Sequence, residues 1–82
     1  MQGLILAPTR ELAIQIGDEL RGLLTYYNGI RVAVLYGGAS IGPQIKALER
    51  KPQIVVATPG RLMDHYNRKT IRLDKIQTVV LD

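Results

Sequence analysis

Cysteine, tryptophan and phenylalanine are all absent from this 82-residue chain. Without cysteine there is neither a disulfide framework nor a zinc ribbon. Four tyrosines are the only aromatics, so a core must be assembled from Leu, Ile, Val and Ala. No apolar run approaches the roughly 18 residues that a membrane span requires. Residues 1–7 lack the basic-then-apolar pattern of a secretion signal, and Pro8 interrupts them. The one histidine, His65, has no Cys, His or carboxylate cluster at metal-ligand spacing, and is expected to face solvent from a helix. Internal repeats, low-complexity tracts and linkers are missing as well. A cytoplasmic protein with no membrane association is the expectation.

What is present is globular in character: 46% hydrophobic and 22% charged residues, with a formal charge of +4 and a pI near 9.8. At this length one small domain is the upper bound, and it buries only about 60–65% of its unfolded surface, so its stability margin is thin. The positive balance suits an anionic partner, nucleic acid among them. Its densest cluster, Arg68-Lys69 with Arg72 nearby, reads most simply as a solvated loop.

Strand and helix patterns alternate along the chain. Leu4-Ile5-Leu6-Ala7 reads as a short buried strand. A helix should follow over residues 10–26, because Ala13, Ile16, Leu20, Leu23, Leu24 and Tyr27 fall at helical spacing and Asn28-Gly29 offers a stop. The Tyr26-Tyr27 pair would cover its end, with base stacking as the alternative. Residues 31–36 form a second strand, ended by Gly37-Gly38, and residues 42–50 a shorter helix with Ile45 and Leu48 inward. Pro52 stops that helix ahead of a third strand, residues 53–57. Residues 59–68 are predicted helical with Leu62, Met63 and Tyr66 buried, and Thr78-Val79-Val80-Leu81 is a fourth strand. Strands without polar alternation imply burial on both faces, and helical connections imply a parallel α/β sheet with right-handed crossovers. About four strands and three helices leave an edge strand and a bare face, an invitation to self-association.

Two strand-to-helix junctions share one recipe. In Pro8-Thr9-Arg10-Glu11, Thr9 is placed to cap a helix, Glu11 lies in its first turn, and Arg10 stands beside the free backbone N–H groups. Thr58-Pro59-Gly60-Arg61 repeats the pattern with a preferred cap and a first-turn proline. A well-made helix start explains most of this. It does not explain Gly60, which costs about 1 kcal/mol against alanine in a first turn and whose return would be close approach of a ligand. In a parallel sheet both junctions lie at the C-terminal edge of the strands, facing the same way. One ligand with phosphates spaced along it, such as a nucleic-acid backbone, would touch both.

Gly37-Gly38 lies on the same edge, as a tight turn or as a second place for close approach. Residues 37–44 imitate the glycine spacing of a P-loop, but Pro43 and Gln44 stand where Lys and Ser/Thr are needed, which rules out a nucleotide site there. Asp64 and Asp74 read as surface charges. Asp82, closing what is expected to be a buried strand, sits where a carboxylate often helps to hold Mg²⁺.

Taken in order, these segments resemble the first RecA-like domain of DEAD-box ATP-dependent RNA helicases. Pro8-Thr9-Arg10-Glu11-Leu12-Ala13 matches the family's motif Ia, Gly37-Gly38 its GG motif, Thr58-Pro59-Gly60-Arg61 its motif Ib, and Val80-Leu81-Asp82 the entry to motif II. The resemblance covers essentially all 82 residues and implies a fragment of the N-terminal RecA-like domain, a partial parallel sheet of the P-loop NTPase type. It implies that Pro8, Thr9, Arg10, Glu11, Gly37, Gly38, Thr58, Pro59, Gly60 and Arg61 contact the sugar-phosphate backbone of RNA, independent of sequence. Asp82 would help to position Mg²⁺ on ATP in the parent protein. The Gly-Lys-Thr loop, the upstream glutamine motif, the rest of the Glu-Ala-Asp sequence, the Ser-Ala-Thr motif and the second domain with its arginine finger are not in this sequence. Phosphoryl transfer needs phosphate cradle, metal and positioned water together. The 82 residues alone are therefore expected to bind no cofactor and to hydrolyse no ATP. The alternatives are a non-catalytic RNA- or polyanion-binding module, a self-associating α/β piece, and an enzyme acting on a phosphorylated small molecule.

Overall fold

In the computed structural model, residues 1–25 and 29–81 are described, without the side chain of Thr25. Four parallel strands, β1 (Gly3–Leu6), β2 (Val32–Leu35), β3 (Ile54–Ala57) and β4 (Thr78–Leu81), form one sheet in the order β2-β3-β1-β4. The joining helices are α1 (Arg10–Leu20), α2 (Ile41–Glu49) and α3 (Pro59–Asn67). The expected architecture is thus observed, with element ends shifted by a residue or so everywhere except at the end of the first helix.

Period-two alternation divides the apolar residues between the two faces. Leu4, Ala33, Leu35, Val55 and Ala57 pack with Leu62 of α3, Ala47 and Leu48 of α2, and Ile71. Val32, Val56, Ile5, Val34 and Ile54 pack on the other face with Ala13, Leu12, Ile16 and Leu20 of α1. Helices therefore sandwich β2, β3 and β1. The outer strand β4 is different. All four of its residues are exposed, Leu81 by 76%. This corrects the expectation that the fourth strand is buried on both faces: its apolar composition is that of a core strand, but only β1 adjoins it, and no helix among the described residues lies over it.

The first helix also departs from its predicted course. After Leu20 the chain continues as a π-helical turn, Arg21–Thr25, in place of the α-helix expected to residue 26. A π turn closes i→i+5 bonds and takes the following residues out of the 3.6 period. Leu23, placed on the buried stripe by spacing, is 62% exposed as a result. The predicted roles of Tyr26, Tyr27 and Asn28 fall outside the described residues. Gly17 is buried where α1 crosses β2, and a Cβ there would collide with Cγ2 of Val34.

A candidate polyanion-binding edge

Because all strands run parallel, the segments following β1, β2 and β3 emerge at one edge of the sheet. The strand order sets them side by side: residues 36–40 after β2, residues 58–61 after β3, residues 8–11 after β1. Every predicted contact residue except Asp82 lies in these three segments, and Asp82 is outside the described residues.

Pro8, Thr9, Arg10 and Glu11 are exposed. Thr9 is extended (φ −130°, ψ 155°), and its Oγ1 accepts from the Leu12 N–H at 3.1 Å, the expected cap. The Arg10 guanidinium lies 5.3 Å from the centre of the Tyr36 ring. It also sits against Gly38, where a Cβ would come within 3.1 Å of its Nη1. Gly38 adopts φ +80°, a conformation costly for any other residue, so the backbone requires this glycine, and a side chain there would also press on the arginine. Its exposed neighbour Gly37 has neither demand.

The second junction is assembled differently. Thr58 occupies the cap position of α3 with no side-chain cap bond, and Pro59 opens the helix. Gly60 is exposed, with nothing within 4 Å of where its Cβ would be, so no protein atom requires glycine there. Arg61 turns inward, its side chain only 14% exposed. Its Nη1 donates to the carbonyl of Ala39 at 3.2 Å and to Oε1 of Gln44 at 3.4 Å, and its Nε lies 3.8 Å from Asp64. Arg10 from α1 and Arg61 from α3 thus brace the glycine loop from opposite faces of the sheet.

His65 overturns its expected place in solvent. It is fully buried, and it rather than Met63 or Tyr66 shares the inner face of α3 with Leu62. Met63 and Tyr66 are half exposed. Polar neighbours make this burial tolerable. The Gln44 amide donates through Nε2 to the carbonyl of Tyr36 at 2.9 Å, which orients Oε1 towards His65 Nε2, 3.1 Å away. Facing an acceptor, His65 Nε2 must carry the proton; this assigns Nδ1 as acceptor for the Thr70 hydroxyl at 2.8 Å. Burial first, and then the Arg61 charge, hold the His65 pKa below its ordinary value of 6.5. Gln44, one more buried polar residue, was not singled out by helix periodicity, which pointed to Ile45 and Leu48; these are only partly buried. The signal that could have found it is chemical: a buried histidine needs polar partners on the element beside it.

Asp64 is a partly exposed charge with a task. It accepts from Arg68 Nε at 2.8 Å, and that hydrogen bond, with Arg61 adding to it, lowers its pKa. Asp74 pairs with Arg72 at 3.1 Å, and Arg68, Lys69 and Arg72 are exposed, as expected of a solvated loop.

The described residues do not fit a nucleotide–metal site. Among them no three His, Cys, Asp or Glu side chains gather for a cation, and the Gln44 amide in the P-loop-like segment is committed to Tyr36 and His65. No chemical step is assigned to ATP or Mg²⁺ here.

A parallel sheet with helices on both faces and three connecting segments gathered at one edge is an α/β domain of the RecA-like class. The chain superposes with a TM-score of 0.90 on a hypothetical ATP-dependent RNA helicase from Sulfolobus tokodaii, at 39% identity, over 100% of this chain and 24% of that one. With the yeast DEAD-box splicing factor Prp28 the TM-score is 0.91 at 35% identity, over 99% of this chain and 19% of that one. The sequence family described as DEAD/DEAH box helicase matches residues 1–82, and the chain belongs to it. It is 55% identical over its full length to the ATP-dependent RNA helicase CshA of Listeria monocytogenes, and 52% identical to the DEAD-box ATP-dependent RNA helicase CshA of Bacillus cereus. It spans 16% and 15% of the lengths of these two relatives.

Proposed function

We propose that this chain is the part of an ATP-dependent RNA helicase that grips the RNA sugar-phosphate backbone, without reading base sequence. The observation that carries the reading is the adjacency of residues 8–11, 36–40 and 58–61 at one sheet edge, with Arg10 exposed beside Gly38. Free backbone N–H groups at two helix N-termini, the uncommitted Thr58 hydroxyl and the open approach at Gly60 suit phosphate oxygens. Arg61 acts in this reading by holding the glycine loop in place. ATP and Mg²⁺ belong to the parent protein, where Asp82 is the residue expected near the metal. The 82 residues by themselves hydrolyse no ATP.

The test is a titration of labelled single-stranded RNA at two salt concentrations, with Arg10→Ala alongside and circular dichroism to confirm folding. Arg10→Ala should weaken binding and lower the slope of log K against log salt by about one phosphate contact. If the folded variant binds as wild type does, the grip at this edge is refuted. A second reading, self-association through β4, is favoured by the exposure of Val79, Val80 and Leu81 on an outer strand. Sedimentation of the same samples over a range of concentrations separates the two: a monomer that binds RNA excludes it.

A further inference from the structure

A second concentration of positive charge lies at the other end of the sheet. A cleft of about 1000 Å³ wraps the outer edge of β2, lined by Arg21, Arg31, Lys46 and Arg50 around Val32, Pro43, Ala47 and Pro52. Apart from Pro43 in the first turn of α2, its lining comes from where α1 and α2 end and where β2 and β3 begin, so it opens mainly towards the N-terminal edge of the strands, away from residues 8–11, 36–40 and 58–61. No carboxylate lines it.

The four cations are not equivalent. Arg21 is fixed in place: its Nε and Nη2 both donate to the carbonyl of Val32, at 3.3 and 3.2 Å, and its Nη1 lies 3.9 Å from Asp18. Arg31, Lys46 and Arg50 have no ion pair among the described residues. Lys46 and Arg50 are four residues apart and so project on one side of α2. Favourable interaction with the helix C-terminus accounts for that pair. It does not account for Arg31 and Arg21, which come from other elements to the same concavity. Four like charges around one hollow repel each other unless an anion enters, and three are free to turn towards it.

We propose that this cleft is a second anion site, distinct from the RNA-gripping edge, that takes a ligand carrying two or more linked phosphates. Arg21 supplies a rigid wall, and Arg31, Lys46 and Arg50 close on the phosphates. Val32, Pro43, Ala47 and Pro52 form the apolar part of the lining between the charges. Linked phosphates occur both in free polyphosphate-type anions and in an RNA backbone.

Two probes, inorganic tripolyphosphate and single-stranded RNA, are titrated into wild type, Arg31→Ala/Arg50→Ala, Arg10→Ala and Lys69→Ala/Lys75→Ala chains. Circular dichroism verifies folding of each. Tripolyphosphate should bind wild type and the Lys69/Lys75 variant alike, and bind Arg31→Ala/Arg50→Ala about tenfold more weakly or worse. Loss of RNA affinity in Arg31→Ala/Arg50→Ala as well assigns the site to an RNA path reaching both ends of the sheet. Unchanged RNA affinity assigns it to a free phosphate anion. Failure of tripolyphosphate to bind wild type overturns the proposal, as does equal weakening in the Lys69/Lys75 variant, which carries the same charge change elsewhere. Should any variant fail to fold, Arg31→Gln/Arg50→Gln repeats its arm with the stems retained. Loss of the Arg10 effect on RNA alone refutes the grip at the other edge and leaves this site standing.

Discussion

The two strand-to-helix junctions read nearly alike in sequence, and the fold uses them in opposite ways. At residues 8–11 the threonine is spent, its hydroxyl capping Leu12, while the arginine is exposed. At residues 58–61 the threonine makes no cap bond, and the arginine is turned inward onto Ala39 and Gln44. The difference lies in what each helix rests against. α1 begins beside an exposed glycine turn and the Tyr36 ring, which offer the Arg10 guanidinium a platform but no acceptor. α3 begins beside a carbonyl and a buried amide that need a donor. A shared motif thus divides its labour: one arginine is left exposed at the edge, and the other fixes the loop between them.

The largest expected effect separates the two arginines by stability. Arg61→Ala removes charged hydrogen bonds to Ala39 and Gln44 in a half-buried setting, each of a kind worth about 1.5–3 kcal/mol, so a loss of about 2 kcal/mol is expected. Arg10→Ala forfeits an exposed ring contact of about 0.5–1 kcal/mol. Urea unfolding of the two variants checks the difference. Equal losses would mean that the inward and outward roles assigned here are wrong.

The second junction should also be the pH-sensitive one. His65 is held neutral by burial and by Arg61, with the charge of Asp64 opposing and that of Arg68 adding to them. Above pH 6.5 the ring is neutral in both the folded and the unfolded chain and contributes no pH dependence. As pH falls through 6.5 the unfolded chain takes up a proton that the folded one resists, so stability declines until the lowered folded pKa is passed. The single Thr70 hydroxyl proton is shared between Nδ1 and the His65 carbonyl, to which Oγ1 donates at 3.1 Å, and the carbonyl is the acceptor left to it once Nδ1 is protonated. Asp64, lowered from 3.8, loses its contribution only at more acid pH. Unfolding curves from pH 7.5 down to 5.5 should show falling stability in wild type and a flat profile in His65→Gln.

Much of this was legible in the chain. Short β-branched runs separated by helical spacing, with Pro and Gly at the breaks, located the four strands and three α-helices, since each signal is local, but not the π turn at Arg21–Thr25. The meeting of residues 8–11, 36–40 and 58–61 at one edge followed, because parallel strands put their C-terminal ends together whatever else they do. Contacts between distant residues were not legible. Nothing in the spacing of Arg61 distinguishes an outward from an inward side chain, and His65 was misplaced because its partners, Gln44 and Thr70, sit on other segments. The basic cleft escaped for the same reason: Arg21, Arg31, Lys46 and Arg50 look dispersed until the fold gathers them. Strand β4 misled differently, since composition reports what a strand is suited to pack against and not whether anything does so here.

The threonines offer the smallest and cleanest discrimination. Removing a hydroxyl that caps a helix costs about 1 kcal/mol, so Thr9→Ala should destabilise by roughly that amount while losing its bond to Leu12. Thr58 makes no such bond, and Thr58→Ala should change stability by about 0.5 kcal/mol or less. RNA binding is expected to rank them in reverse, because the Thr58 hydroxyl is free to meet a phosphate and the Thr9 hydroxyl is already engaged. Unfolding and RNA titration of both variants test the crossing of the two orders. If both measurements rank them the same way, the capping threonine also touches the ligand, and the division between a structural and a ligand-facing hydroxyl fails at that junction.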